Sequence, residues 1–174
     1  VSTQSCKLVI IDPDLAQVCH IDTVVYDNDL PAYKTLNGVR RDAKKGVSES
    51  DPEMWIEAIK ILFKRLKDSG IDQEKIRSMS VSGQQHGLVA LDKDGSLASP
   101  YAKLWNDFST QEECDILTQA VGGVGKMIAE VGNSQRTGYT ASKILHLKRN
   151  DPESFEQTTT LFLVHNYINW FLSG

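Results

Sequence analysis

Cysteine is scarce in this 174-residue chain: Cys6, Cys19 and Cys114 are the whole supply, an odd number with no C-x-x-C spacing. Three scattered thiols argue against a disulfide framework and fit a reducing cytosol. No apolar run approaches the roughly 20 residues that a membrane helix needs, and no signal-like segment opens the chain. A soluble, cytoplasmic protein with no membrane partner is expected. Positive charge is also short. Nineteen Lys and Arg face 23 Asp and Glu, a net charge of −4. The longest basic stretch, Arg40-Arg41 with Lys44-Lys45, sits in a loop-like segment and reads as solvated. Nucleic acid is therefore not expected as a partner, because a phosphate-binding face needs clustered cations.

Several catalytic signatures are missing too. There is no G-x-x-x-x-G-K-[ST] and no G-x-G-x-x-G, so neither a Walker nor a Rossmann nucleotide site is encoded. Ser82 lies four residues from His86, but the nucleophile elbow G-x-S-x-G is absent, its glycine positions being Ser80 and Gln84. His86 has no His or Cys companion at metal-ligand spacing, so no metal site is expected. The DKDG at 92–95 resembles the start of a calcium loop, yet the position of the bidentate Glu is Lys103. A turn with a left-handed glycine is the better reading.

What is present describes one globular core. Hydrophobic residues make up 40% and charged residues 24%, ordinary values for a single domain of this length. SCKLVII (5–11) and QVCHIDTVVY (17–26) are β-rich runs split by Asp12-Pro13-Asp14, which predicts a hairpin. A long polar excursion covers 27–50. Ser50-Asp51-Pro52-Glu53 reads as a capping box with proline in the first turn. The helix it opens carries a stripe of Trp55, Ala58, Ile59, Leu62 and Leu66, and Gly70 ends it. Strands are expected at 76–82, 87–91 and 161–164, and helices at 124–131, 140–150 and 166–172. Ser109-Thr110-Gln111-Glu112 reads as a second capping box, opening a helix that ends at Gly122-Gly123. Hairpins first, then alternating strands and helices, point to a mixed α/β sheet with helices packed against it. The chain begins at Val1 close to a strand pattern and stops at Ser173-Gly174 straight after an amphipathic segment, so a piece of something longer is expected.

One polar cluster stands out. SGQQHG (82–87) places Gln84, Gln85 and His86 at a strand end, and LWND (104–107) follows with Trp105, Asn106 and Asp107. If both reach the edge of one sheet, they form a surface where α/β proteins bind ligands. Amides, an imidazole and an indole face suit a polyol, whose hydroxyls both donate and accept while its C–H side lies on the aromatic plane. The competing reading is a polar turn beside a core tryptophan.

Five segments in order resemble landmarks of the FGGY carbohydrate kinases, most closely the xylulose kinases among them: YDNDLPAYKTLNGV (26–39), DPEMW (51–55), SGQQHG (82–87), LWND (104–107) and GNSQRTGYTASK (132–143). VSTQSCK (1–7) is similar to the family's N-terminal phosphate motif without its leading Asp. The resemblance runs over essentially the whole chain. It implies a ribonuclease-H-like, actin-type α/β domain with a mixed central sheet. Residues 1–174 would be the sugar-binding N-terminal domain, incomplete, and a second, ATP-binding domain would lie outside the chain.

Carried over by position, the resemblance puts Gln85, His86, Trp105 and Asp107 on the sugar. Ser2, Thr3 and Gln4 fall on the loop facing the γ-phosphate, with Lys7 as a helper. Ser2 departs from the glycine that most of the family carries there. Gly138 stands where glycerol kinases place a substrate-contacting Tyr, so Arg136 becomes the candidate for the far end of the sugar, and a plain turn glycine is the alternative. The implied reaction moves the γ-phosphate of Mg2+-ATP to a ketopentose, D-xylulose to D-xylulose 5-phosphate. The catalytic carboxylate would lie beyond residue 174, so no catalytic residue is assigned and this piece alone is expected to be inactive. Another FGGY kinase, for ribulose, glycerol or a deoxyketose, and a non-catalytic sugar-binding relative are the alternatives. The partners implied are a small sugar and ATP, with homodimerisation left open.

Overall fold

A computed structural model describes residues 1–174. Its first feature is the expected antiparallel hairpin, β1 (Ser5–Asp12) with β2 (Gln17–Val25), in a register that sets Cys6 against Val24. The turn closes because the Asp12 carboxylate accepts from the N–H groups of Asp14 and Leu15. The polar excursion is more structured than its composition suggests. It holds the short helix α1 (Tyr26–Asp29), a 3-10 turn at Pro31–Tyr33, and the strand pair β3 (Thr35–Leu36) and β4 (Val39–Arg40). Asp27 organises it, accepting from the Thr35 hydroxyl and from the N–H groups of Asn37 and Gly38.

Helix α2 (Pro52–Asp68) is the backbone of the core. Asp51, not Ser50, is its cap, accepting from Glu53 N at 2.9 Å. A cap of this type stabilises a helix by about 1 kcal/mol. Ser50 is displaced from that role because its buried hydroxyl donates to Gly38 O at 2.6 Å. The whole predicted stripe, Trp55, Ala58, Ile59, Leu62 and Leu66, is buried. It packs against Cys6, Val24 and Tyr26 on the hairpin side and against Val164, Tyr167 and Ile168 of the last helix. Each such aliphatic side chain contributes about 1.5–3 kcal/mol by leaving water.

The remaining strands are short. β5 (Glu49–Ser50) pairs with β7 (Ala102–Lys103), and β6 (Val89–Leu91) pairs with β8 (Thr160–Phe162), all antiparallel. A bridge between Leu88 and Lys103 joins the two pairs. The strand expected at 76–82 forms no ladder. Apart from a local turn bond from Ile76 N to Gln73 O, its backbone attachment is to Val1, whose ammonium donates to Ser82 O and whose carbonyl accepts from Gln84 N. That is a parallel pairing pattern with a single residue to pair with, which cannot sustain a strand.

Helices α3 (Gln111–Val121), α4 (Val124–Val131), α5 (Thr140–Asn150) and α7 (Val164–Ser173) match the expected positions. α6 (Pro152–Gln157) was not foreseen. The second capping box does not form. Thr110 occupies the cap position without capping, because its hydroxyl is spent on Thr137 O and Ser142. Arg149 of α5 meets Glu113 of α3 at 2.8 Å, pinning those helices together. The 132–139 loop, which joins α4 to α5, passes beside SGQQHG.

Candidate functional site

The site begins with a turn. Ser2 and Ser5 close it on each other: Ser5 N donates to Ser2 Oγ, and Ser2 N and Oγ donate to Ser5 O. The Tyr26 hydroxyl donates to Ser2 O, and Gly38 backs so tightly onto Thr3 O that a side chain there has no room. Between these fixings the backbone N–H groups of Thr3 and Gln4 have no acceptor within the chain. Two adjacent free amides on a braced turn are donors of the kind that can receive an anion. Ser2, Gln4 and Lys7 are exposed.

Thr3 connects this turn to both polar motifs. The Trp105 indole N–H donates to Thr3 Oγ1 at 3.0 Å, and Thr3 Oγ1 donates to Gln84 Oε1 at 3.3 Å. The Gln84 amide nitrogen is enclosed and lacks a partner. Trp105 itself is 52% exposed. It is therefore not a core tryptophan, as the competing reading required. Gln85 is exposed beside Gln84, and His86 is half-buried.

His86 adopts a left-handed backbone, φ +60°. Such a conformation costs a non-glycine residue about 1–3 kcal/mol and persists only where neighbours impose it. Two neighbours do. Its ring lies 4.7 Å from that of Tyr139, and its carbonyl accepts from the Lys143 ammonium at 2.6 Å. Lys143 also donates to Gly138 O at 2.7 Å. Gly138 in turn approaches the backbone of Trp105: an added Cβ would stand 2.5 Å from the Trp105 carbonyl oxygen. The glycine is there for close approach, and a turn from Arg136 O to Tyr139 N delivers it. Arg136 is exposed.

Charge at the rim is set by burial. Desolvation, with the Lys143 charge as a smaller cause, holds the His86 imidazole below its ordinary value. The ring is therefore neutral near pH 7 and able to donate and accept. Burial likewise pulls the Lys143 ammonium down to about 8, opposed by Asp107 and assisted by Lys103.

Asp107 is placed differently from the other expected contacts. It is fully buried, and its carboxylate accepts from Ser48 N at 2.8 Å, from the N–H and hydroxyl of Ser109, and from Lys103 at 3.4 Å. It is a bracket under the LWND turn, with its oxygens occupied by the chain. A pocket of about 160 Å³ lies behind the rim, between Glu49, Leu88, Tyr101, Lys103 and His146, with Lys143 as the shared wall.

Tyr139 and Lys143 were not singled out from the sequence, and Gln84 entered only as a member of the polar cluster, without an assigned contact. Tyr139 and Lys143 lie inside GYTASK, a segment read as a landmark, so the signal was present without the geometry.

Residues 3–174 match the family model for the N-terminal domain of the FGGY family of carbohydrate kinases. The xylulose kinase of Schizosaccharomyces pombe is 34% identical over 186 residues, covering 96% of this chain and 33% of its own length. That of Haemophilus influenzae is 38% identical over 134 residues, covering 74% of this chain and 27% of its own length. In three dimensions the chain superposes on a xylulose kinase from Brucella ovis with a TM-score of 0.81 at 25% identity, over 97% of this chain and 32% of that one. The chain thus spans about a third of the length of the relatives it matches. The mixed α/β, actin-like architecture expected from the sequence is the one observed. The turn at Ser2–Gln4, the SGQQHG loop and the LWND turn are brought together in a chain that belongs to the FGGY family of carbohydrate kinases.

Proposed function

We propose that this chain is the sugar-side part of an ATP-dependent ketopentose kinase that converts D-xylulose to D-xylulose 5-phosphate. The observation that carries the reading is the Trp105–Thr3–Gln84 relay, which joins an anion-accepting turn to an exposed indole and a neutral imidazole. The names of the relatives support the same substrate. The sugar lies against the Trp105 face, its hydroxyls meeting Gln85 and His86. The free amides of Thr3 and Gln4 receive the γ-phosphate, flanked by Ser2.

In the reaction a sugar hydroxyl oxygen bonds to the γ-phosphorus, the bond to the β,γ-bridging oxygen breaks, and ADP leaves. The hydroxyl proton goes to a carboxylate that lies outside this chain. Asp107 cannot take it, being enclosed. Such transfers depend on positioning and on stabilising spread-out charge, and the residues here do the positioning. Neutral hydrogen bonds of about 0.5–1.5 kcal/mol each favour selectivity over rate. Magnesium would arrive with ATP, held mainly by the nucleotide phosphates and water; within this chain no three acidic, His or Cys side chains come together as ligands for it. All three cysteines are free, which supports a reducing compartment, the cytoplasm. No helix is long and apolar enough to cross a membrane.

The test is a substrate panel on the full-length protein: D-xylulose, ribulose, glycerol and a deoxyketose with ATP and magnesium. The expected result is ADP and D-xylulose 5-phosphate with D-xylulose preferred, and no turnover by residues 1–174 alone. Preference for another acceptor would overturn the substrate, and steady turnover by the isolated segment would overturn the division of labour.

A further inference from the structure

Lys143 is a buried cation with no carboxylate in ion-pair contact. It is 0% exposed, and its ammonium is spent on two carbonyls, His86 O at 2.6 Å and Gly138 O at 2.7 Å. Burying a charge carries a penalty of several kcal/mol, which an apolar side chain of similar volume avoids. Packing therefore does not explain a lysine at this position. What it holds does.

We infer that Lys143 is a positioning residue for the sugar, fixing the histidine loop and the loop beneath Trp105 in one arrangement through a single ammonium. This rests on the functional reading above. Each contact serves a part of the rim that would otherwise relax. His86 is kept in a left-handed backbone and its ring against Tyr139, four residues before Lys143. Gly138 is kept against the Trp105 carbonyl, so the indole stands at a fixed distance from the imidazole. Gln85, between Gln84 and His86, is carried along. The backbone of the phosphate turn has fixings of its own, to Tyr26, Ser5 and Gly38, and meets the sugar side only through the Thr3 side chain and the Val1 backbone. Loss of Lys143 should therefore loosen the sugar side and spare the nucleotide side.

The charge matters as well as the shape. Charge-assisted hydrogen bonds are roughly twice as strong as neutral ones. The groups facing this ammonium are Asp107 from the LWND turn, Lys103 from β7 and His86, with Glu49, His146 and Asp151 across the rear cavity. Asp107 and Lys103 pull in opposite directions, so burial decides, and the proton leaves near pH 8. A neutral amine still reaches both carbonyls, more weakly. The linkage to folding has the other sign. Lys143 protonates less readily in the folded chain than its ordinary value of 10.5. The fold is thus relieved of a penalty, and gains stability from this group, as pH rises from about 8 toward 10.5.

The experiment compares the full-length protein with its Lys143→Met variant, reading KM for D-xylulose, KM for ATP and thermal unfolding from pH 7 to 9. Wild type should show a several-fold rise in sugar KM through about pH 8, with a flat ATP KM and no loss of fold stability from this group. Lys143→Met should raise sugar KM about tenfold or more at pH 7, leave ATP KM within twofold, and abolish the alkaline rise. A folded variant with sugar KM within twofold of wild type, or with both KM values rising together, overturns the inference. If the variant does not fold, the wild type decides: a flat sugar KM from pH 7 to 9 overturns it, and an alkaline rise confined to sugar sustains it. A wild type that takes no ketopentose at any pH overturns the functional reading itself, a different result from either.

Discussion

The indole N–H of Trp105 donates to the hydroxyl of Thr3 across 102 positions of sequence, at 3.0 Å. A residue assigned to the sugar is thereby tied to one assigned to the phosphate. Thr3 passes its own proton on to Gln84, so all three groups share one relay.

A double-mutant cycle measures that tie. Thr3→Val removes the acceptor and the onward donor, and Trp105→Phe keeps an aromatic face without the N–H. Each single change should raise the KM for D-xylulose about two- to tenfold, the range set by one or two neutral hydrogen bonds. The pair should fall short of the product by roughly 0.5–1.5 kcal/mol of coupling. Strictly additive effects would show that the relay carries no energy.

Asp107 should behave as a bracket. Leaving a buried donor unsatisfied is destabilising by about 1–3 kcal/mol, and Asp107→Ala strands the donors of Ser48 and Ser109 at once, while Lys103 keeps Glu49 at 2.9 Å. The expected outcome is a large fall in the urea midpoint of the 174-residue chain. A stable variant whose only defect is a raised sugar KM would return Asp107 to the substrate.

His86 sets the acid side. Its folded value is held below the ordinary 6.5 by burial first and Lys143 second. The unfolded chain then binds this proton more readily than the folded one. Stability from this group is present above the ordinary histidine value and is lost as pH falls from there toward the folded value. Sugar binding should follow the folded value, with KM for D-xylulose flat near pH 7 and rising only below the normal histidine range. His86→Gln, which cannot charge, should show no such acid rise. The same acid rise in His86→Gln would assign it to another group.

Most of the framework could be read along the chain. The hairpin followed from two β-rich runs around Asp12-Pro13-Asp14, and α2 from a stripe at helical spacing, because both patterns are local and period-bound. Misreadings arose where one residue had two suitors. Ser50 looks like a cap, yet Gly38 O claims its hydroxyl, and Thr110, which takes the cap position in place of Ser109, has its hydroxyl claimed by Thr137 O and Ser142. Those rivals lie 12, 27 and 32 positions away, beyond any local pattern. The 76–82 run has a strand-like composition, but a strand needs a neighbour, and Val1 alone supplies one.

The site divided in the same way. Residue type marked Gln85, His86 and Trp105 as candidates, and the fold leaves Gln85 and Trp105 exposed and His86 half-buried. Asp107 carried the same chemical label and turned out to be enclosed.

Composition and period alone determined that this chain makes a helix-and-strand core with an exposed polar rim. Side-chain chemistry and 3.6- or 2-residue repeats act between neighbours in sequence. Only the tertiary structure decided which polar groups remain free and which are consumed. Trp105 reaching Thr3, Gly138 closing on Trp105, and Lys143 spanning His86 and Gly138 are contacts between distant segments. In a buried setting every donor seeks an acceptor, and the one it finds depends on the path of the folded chain.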